Sequence, residues 1–549
     1  MEDMKMKARW LKGAMVVVLA LLIAAPAAFG GEGLRESDFY NIGKGGFGDS
    51  ANSYSWGVGW FKGDLYVGTN RHHLWGMIEA LSGQFGNLGD LAGLIEELGP
   101  EPPPSTEWGS SALADAMRGE IWRYKCGKWT RVFQSPTYYT EAFNIPIPGT
   151  DQVIPIPAGY YPTAYGFRAI GTYKDYVYAT GVGSWWPPIP VSNVVRSKDG
   201  YNWEDVTGSL RATTNIREVV EWRGRLYTAA SVAPGSVPGM GGGAVVFSTC
   251  DPKYHGWAPV SLPGFGDNRP NSEIYYLSVF NDHLYASTVN LVTGFEVWKT
   301  NGKSDPANPG KFLWKQVIKN GFGDTWNQYG MTMQPFGNYL YVGTAVGAGM
   351  VMKNGQPVGT RPLEIIRIDK CDRAELIVGA RNAEDPIEGG PEPRVPKSGI
   401  PAGFGNPFNV YSWHMNVFQG HLYLATFDMS SFITKALAEH PELLEQLLSS
   451  IPSDTLPFPA LSGDGMVSGK MISALFEQMY QHFGGGDLWR TKDGIRWYPV
   501  TLNGFDNPKN YGIRRLVPLN DKVLAVGTAN PFTGKPDGGC EVWMAPKRK

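Results

Sequence analysis

Leu65-Tyr66-Val67-Gly68-Thr69 is a five-residue phrase of apolar and small residues closing on Gly-Thr, and its variants return along the whole chain. They read Val177-Tyr178-Ala179-Thr180, Leu226-Tyr227-Thr228-Ala229, Leu284-Tyr285-Ala286-Ser287-Thr288, Leu340-Tyr341-Val342-Gly343-Thr344, Leu422-Tyr423-Leu424-Ala425-Thr426 and Val523-Leu524-Ala525-Val526-Gly527-Thr528. β-branched and aromatic enrichment with turn residues on either side marks each as a strand. A preceding strand ends in a bulky residue before a turn, as in Phe61-Lys62-Gly63, Trp222-Arg223-Gly224 and Phe418-Gln419-Gly420. A third strand follows, for example Glu120-Ile121-Trp122-Arg123, Glu296-Val297-Trp298-Lys299 and Asp487-Leu488-Trp489-Arg490. A fourth follows that, as in Lys128-Trp129-Thr130-Arg131-Val132 and Trp497-Tyr498-Pro499-Val500.

Four antiparallel strands repeated seven times predict an all-β, seven-bladed β-propeller, because one four-stranded sheet cannot bury both faces alone. The seventh unit runs out after its third strand, Glu541-Val542-Trp543. The missing outer strand is expected near the start of the chain. Phe39-Tyr40-Asn41-Ile42 followed by Gly45-Gly46-Phe47-Gly48-Asp49 matches Lys315-Gln316-Val317-Ile318 followed by Asn320-Gly321-Phe322-Gly323-Asp324. An N-terminal strand closing the ring is the expectation that follows.

Residues 1–30 read differently. Lys5, Lys7, Arg9 and Lys12 precede an apolar run from Gly13 to Ala25, and Pro26, Ala27, Ala28 and Gly30 follow. That is the layout of an export signal, with cleavage near Gly30 or else after Ala27 or Ala28; an uncleaved anchor is the competing reading, but the apolar run is short for a membrane span. The expected mature protein is one domain, 31–549, that is secreted, periplasmic or cell-surface, with no stable membrane span. With 18% charged residues and a net charge of −2, the chain has no basic footprint for nucleic acid. Cys126, Cys250 and Cys371 occupy equivalent turns of non-adjacent units and Cys540 sits in a strand of the seventh, so mostly free thiols are expected. No metal-type cysteine spacing, His-Glu-x-x-His, Gly-x-Ser-x-Gly or P-loop occurs, and no cofactor is implied.

Two turns read Ser197-Lys198-Asp199-Gly200-Tyr201-Asn202-Trp203 and Thr491-Lys492-Asp493-Gly494-Ile495-Arg496-Trp497. They resemble the Asp-box of sialidase-type (BNR) propellers, one residue tighter than that pattern because Asp and Gly are adjacent. In that family the box is structural and faces away from the active site, so the resemblance implies fold and not activity. The mature chain is also similar to a group of uncharacterised secreted bacterial propellers with recurring Gly-Phe-Gly-Asp and Glu-Ile/Val-Trp phrases.

The long insertions, about 70–118, 134–164, 181–193, 345–362, 380–410 and 427–485, fall between second and third strands or between units. Strand alternation places both loop classes on one rim, where binding and catalysis concentrate. Helical patterns are expected at 431–448, 471–483 and, weakly, 74–98. Counting back five residues from each bulky pre-turn residue gives Trp56, Arg168, Arg217, Tyr275, Met331, Trp413 and Arg514 at the mouth of the same rim. Three arginines there suit a carboxylate or phosphate, or else pair with loop carboxylates. Sialidases use an arginine triad at a similar place, together with a Tyr/Glu pair.

His414 and Asp428 lie close by, and with His72 and His73 they form a candidate metal or acid–base group, though loop hydrogen bonding is the expected role. Loop aromatics, Tyr138, Tyr139, Phe143, Tyr160, Tyr161, Trp185 and Trp186, are of a kind that stacks on sugars or packs within the loops. The ligand-binding set is therefore Arg168, Arg217, Arg514, Trp56, Tyr275, Trp413, His414 and Asp428, with no catalytic or metal-ligating residue assigned. The expected function is a recognition module for a glycan, polymer or protein. The alternative is an extracellular sialidase-like hydrolase or lyase acting on an anionic sugar.

Overall fold

A computed structural model of the chain describes residues 32–76, 102–146, 153–183, 192–232, 242–266, 269–349, 351–353, 356–431 and 484–546. The export segment, the helical patterns at 432–448 and 471–483, most of 74–98, and Trp185 and Trp186 lie outside the described residues.

The fold is mostly β and propeller-like. Among the described residues the strands pair into seven four-stranded antiparallel ladders. The first runs Asn52–Phe61, Asp64–Arg71, Glu120–Lys125, Lys128–Gln134. The second runs Gly166–Tyr173, Tyr176–Val182, Ser192–Ser197, Trp203–Asp205. In the third, Val219–Trp222, Arg225–Val232, Gly243–Thr249 and Ala258–Pro259 pair in turn. The fourth comprises Glu273–Phe280, His283–Val289, Val297–Thr300 and Lys315–Ile318. The fifth comprises Tyr329–Phe336, Tyr339–Ala345, Ile365–Asp369 and Ala374–Val378. Asn409–Phe418, His421–Asp428, Leu488–Thr491 and Tyr498–Thr501 form the sixth. In the seventh, Gly512–Leu519, Val523–Ala529 and Val542–Ala545 are joined by Tyr40–Gly43, with Tyr40 opposite Met544.

The hairpins between first and second strands follow from local chemistry. Lys62-Gly63, Arg223-Gly224 and Gln419-Gly420 all take left-handed backbone, φ 48° and 88°, 49° and 71°, and 46° and 72°. Such turns match the twist of the strands they join, and Gly carries the second position without a Cβ penalty. The second strands are buried on both faces, which is why they read as near-continuous apolar phrases. Their side chains interleave with the next ladder. Tyr66 and Ile121 pack with Phe167 and Val177, and Leu65 and Val67 with Ala525 and Val542. Each such side chain contributes about 1.5–3 kcal/mol of burial.

A second local device recurs at the entry to five first strands. Asn52, Asn271, Asn327, Asn409 and Asn510 donate to the carbonyls of Gly46, Gly264, Gly321, Gly403 and Gly504, at 2.9–3.1 Å. The same amides donate to the buried acids Glu120, Glu296, Glu364, Asp487 and Glu541 at the start of third strands. The phenylalanine after the glycine stacks on the third-strand tryptophan in three of them, with Phe404 and Trp489 centroids 4.5 Å apart. The Gly-Phe-Gly-Asp phrases are thus clasps that fasten one ladder's start to its own third strand.

The Ser197–Trp203 and Thr491–Trp497 turns share one bonding pattern. Asp199 Oδ1 accepts from the amides of Tyr201 and Asn202, and Asp493 Oδ1 from those of Ile495 and Arg496. Ser197 and Thr491 hydroxyls accept from Gly200 and Gly494. The insertion 134–164 is not plain loop. It holds two hairpins, Thr137–Thr140 with Gly159–Pro162 and Phe143–Pro146 with Val153–Ile156. Cys126, Cys250, Cys371 and Cys540 are free thiols, and Cys540 lies just before the Val542–Ala545 strand rather than in it. Among the described residues no helix is long and apolar enough to cross a membrane.

Candidate functional site

The first strands share one irregularity. Besides slips between Asn52 and Tyr54 and between Asn409 and Tyr411, their register with the second strands slips between Ser55 and Gly57, Phe167 and Ala169, Ile274 and Tyr276, Gly330 and Thr332, Ser412 and His414, and Ile513 and Arg515. The residue skipped is in turn Trp56, Arg168, Tyr275, Met331, Trp413 and Arg514. A bulge leaves its extra residue unpaired and re-aims the side chain. In the third ladder Arg217 occupies the same place, in the gap between Thr213–Thr214 and Val219–Trp222. The count of five residues back from the turn therefore picks out seven structurally matched positions.

These side chains meet. The Arg168 guanidinium lies 4.4 Å from the Trp56 ring, Arg217 lies 3.9 Å from Tyr275, and Arg514 lies 5.3 Å from Trp413. Trp56, Met331 and Trp413 belong to one apolar cluster with Tyr54 and Tyr511, and Tyr275, Tyr329 and Tyr411 pack against it. The arginines are 6%, 6% and 3% exposed. Arg217 pairs with Glu273, so the alternative of a carboxylate partner holds for that one. Arg168 Nε and Nη1 and Arg514 Nε are buried without a hydrogen-bond partner.

The electrostatics follow from that crowding. Burial, then repulsion from Arg217 and Arg514, brings Arg168 down to about 9. Burial and neighbouring Arg515 and Arg217 bring Arg514 down to about 10. Burial alone would push the Tyr275 phenol up, but Arg217, Arg514 and Arg168 together outweigh it and hold it below its ordinary value. Burial beside Arg168 and Arg514 lowers His73 to about 3, so its imidazole is neutral.

One residue further along each first strand lies a second layer: Glu218, Tyr276, Thr332, His414 and Arg515. Arg515 of the seventh ladder donates to the carbonyls of Trp56 and Arg168, 3.1 and 2.9 Å away, and pairs with Glu218. The His414 ring contacts the Tyr276 hydroxyl at 3.2 Å through Nε2. Bonds thus run from the seventh ladder to the first, second and third, and from the sixth to the fourth. Burial and the charges of Arg515 and Arg514 keep His414 well below the usual imidazole range.

Of the candidate metal or acid–base group of His72, His73, His414 and Asp428, the last three have separate partners. His73 packs against Tyr54 and Trp56, His414 belongs to the second layer, and Asp428 is held by Asn406 and Ser430. Among the described residues no three His, Cys, Asp or Glu side chains gather as a metal site would require. Sequence reading missed Glu273, Glu218, Tyr276 and Arg515, although stepping the same count by one residue reaches the last three. Of the loop aromatics, Tyr139 and Tyr160 face each other across a hairpin, 54% and 47% exposed.

No family model matches the chain, and no curated protein does. Among solved structures it is similar to the Bacteroides ovatus xyloglucan PUL GH43B, at 14% identity and TM-score 0.27, over 47% of this chain and 46% of that one. The Bacillus subtilis arabinanase Arb43A matches at 13% identity and TM-score 0.26, over 47% of this chain and 88% of its own. The exo-beta-1,3-galactanase of Phanerochaete chrysosporium matches at 9% identity and TM-score 0.27, over 47% of this chain and 55% of its own. The chain thus spans less than half the length of the first of these, and TM-scores this low do not establish a shared fold. The expected likeness to sialidase-type propellers is left without support by these comparisons. Its physical basis was two tight turns whose bonds are local, between residues two and three apart, and such bonds identify a turn rather than a family.

Proposed function

We propose that the seven ladders are the blades of one closed ring, and that an exported chain uses the ring's mouth to recognise a carboxylate-bearing glycan. Closure is supported by Tyr40–Gly43 completing the seventh ladder and by the pairing of Tyr54 with Ala529 between first and seventh ladders. Export rests on the basic, apolar and small-residue succession of residues 1–30. Plain turns at the opposite rim leave the insertion-bearing rim as the working face.

The observation that carries the ligand assignment is the gathering of Arg168, Arg217 and Arg514, of which Arg217 pairs with Glu273 while Arg168 and Arg514 keep buried nitrogens without a hydrogen-bond partner among the described residues. A buried cation without a partner is unfavourable, whereas a guanidinium fork receives a carboxylate through two charge-assisted bonds. The rings of Trp56, Tyr275 and Trp413 beside it supply apolar faces of the kind that sugars stack on.

Titration calorimetry with a uronic-acid oligosaccharide and its neutral, carboxyl-reduced counterpart tests this. The acidic sugar binds, the neutral one does not, and Arg168→Met weakens binding at least tenfold. Equal binding of the two sugars, or an unaffected Arg168→Met protein, removes the mouth from consideration.

A hydrolase or lyase acting on an anionic sugar is the second reading, and Tyr275 favours it. Three guanidiniums ease ionisation of its phenol, and Glu273 lies within electrostatic reach. Under that reading the acidic oligosaccharide is cleaved, and Tyr275→Phe abolishes cleavage while leaving binding in place.

A further inference from the structure

The bulges that set out the mouth residues also withdraw their peptide groups from the ladders, because the extra residue of a bulge is left unpaired. A buried carbonyl released in this way still needs a donor. Thr180 of the second ladder provides one for Arg217, its hydroxyl donating to that carbonyl at 2.9 Å. For Trp56 and Arg168 a single side chain serves both. Arg515 Nε donates to the Trp56 carbonyl at 3.1 Å, and Nη2 donates to the Arg168 carbonyl at 2.9 Å. The same Nη2 pairs with Glu218, the residue after Arg217. One side chain of the seventh ladder thus touches the first, second and third ladders at or beside their mouth positions.

Arg515 is 5% exposed. Burial alone would lower it, but Glu218 and Tyr276 outweigh burial and hold it above its ordinary value. It is therefore a fixed cation, unlike Arg168 and Arg514, which burial and neighbouring guanidiniums bring down. Its donors are also aimed differently. Arg168 and Arg514 keep buried nitrogens without a partner, whereas Arg515 directs Nε and Nη2 to backbone and to Glu218.

We propose that Arg515 is the positioning residue of the mouth: its guanidinium fork fixes the backbones of Trp56 and Arg168 side by side and so sets the face of ring and guanidinium that they present to a ligand. This role rests on the mouth being the binding site. The Arg168 guanidinium lies 4.4 Å from the Trp56 ring, a contact between two ladders that a shift of either strand would open. Arg515 ties the two strands at the very residues that make it. Arginine suits the task because a planar, rigid group holds two donors at a fixed spacing for two carbonyls. A lysine ammonium on its flexible stem can pair with Glu218 but cannot keep that spacing. Arg515 acts through Trp56 and Arg168 and does not itself receive the sugar.

Fluorine NMR of the full chain labelled with fluorotryptophan, the Trp56 signal being assigned by its loss in Trp56→Phe, is paired with calorimetric titration of a uronic-acid oligosaccharide. Arg515→Lys is expected to shift the Trp56 signal and to weaken binding of the acidic sugar about tenfold or more. The signal of Trp298, whose indole donates to Glu296 in the fourth ladder, stays in place. Arg515→Met is expected to do the same and also to lower Tm, because Glu218 loses its charge partner. Lysine restores Tm but neither the Trp56 signal nor the affinity. Should either protein fail to fold, the other carries the same two readings. The positioning role is overturned if the lysine protein keeps the parent's Trp56 signal, or if it keeps the parent's affinity, since Arg515 is then only a charge opposite Glu218. A parent protein that binds no acidic sugar overturns the glycan reading instead, and the Trp56 signal of Arg515→Lys then decides by itself whether the fork holds the two strands.

Discussion

Arg168, Arg217 and Arg514 occupy matched bulges yet have different partners, and that difference predicts different mutants. Arg168 and Arg514 are buried cations with unbonded nitrogens, so replacing either with Met removes a charge that burial disfavours. Arg168→Met and Arg514→Met are expected to change stability by less than about 1 kcal/mol while costing the acidic ligand at least about 1.5 kcal/mol of binding. Arg217→Met strands Glu273 instead. That acid is 21% exposed, so the loss is about 2 kcal/mol rather than the about 3–5 of a fully buried pair. Chemical denaturation of the three proteins checks the contrast. Equal destabilisation by all three would show that Arg168 and Arg514 have structural partners after all. The arginines were legible because they keep a constant distance from the turn. Glu273 was not, because acids occur throughout the loops and only the folded chain brings that one under Arg217.

At the scale of elements, the ladders interlock through second-strand tyrosines. A Cβ on Gly494 would lie 1.7 Å from the Tyr341 hydroxyl of the preceding ladder, and one on Gly200 would lie 1.8 Å from that of Tyr66. Both glycines have left-handed φ, 75° and 78°. Gly494→Ala is expected to lower unfolding free energy by about 2–4 kcal/mol, combining overpacking with backbone strain. A change under 0.5 kcal/mol, read by urea denaturation, would show that the turn moves freely. The Ser/Thr-Lys-Asp-Gly turns were visible in the sequence, and their use as sockets for a neighbour's tyrosine was not, since nothing local encodes which ladder packs there.

The segment leading into the N-terminal strand crosses the sixth ladder. Leu34 N–H donates to the Tyr423 hydroxyl, and Arg490 donates to the carbonyl of Glu32. Burial, reinforced by Asp506, raises Glu36 to about 7, well above an unfolded carboxyl near 4.5. An acid raised in this way binds its proton more readily when folded. The strap therefore gains stability as pH falls from about 7 towards 4.5 and gains nothing further below that. Glu36→Gln is expected to slow amide exchange of the strap at pH 8 and to leave it unchanged at pH 4. Equal protection at both pH values in the parent protein would contradict the raised value.

For the whole molecule, the recurring second-strand phrase announced the ladders because every unit solves the same problem, a sheet buried on both faces. The match of Phe39–Asp49 to Lys315–Asp324 likewise pointed to the strand that now pairs Tyr40 with Met544. The hairpins within 134–164 were not legible, since Pro and Gly there conceal the alternation that marks a strand. If the ring is closed by that strand, a chain lacking residues 32–43 exposes the Val542–Ala545 edge and loses single-transition unfolding in calorimetry. Unchanged cooperative unfolding of the shortened chain would contradict closure.

What the mouth receives is read from a crystal structure of the chain soaked with a uronic-acid oligosaccharide. Density for the sugar carboxylate is expected within about 3 Å of the Arg168 and Arg514 guanidiniums, with a sugar face against Trp56 or Trp413. An acidic sugar bound elsewhere on the rim, with the mouth arginines untouched, would contradict it.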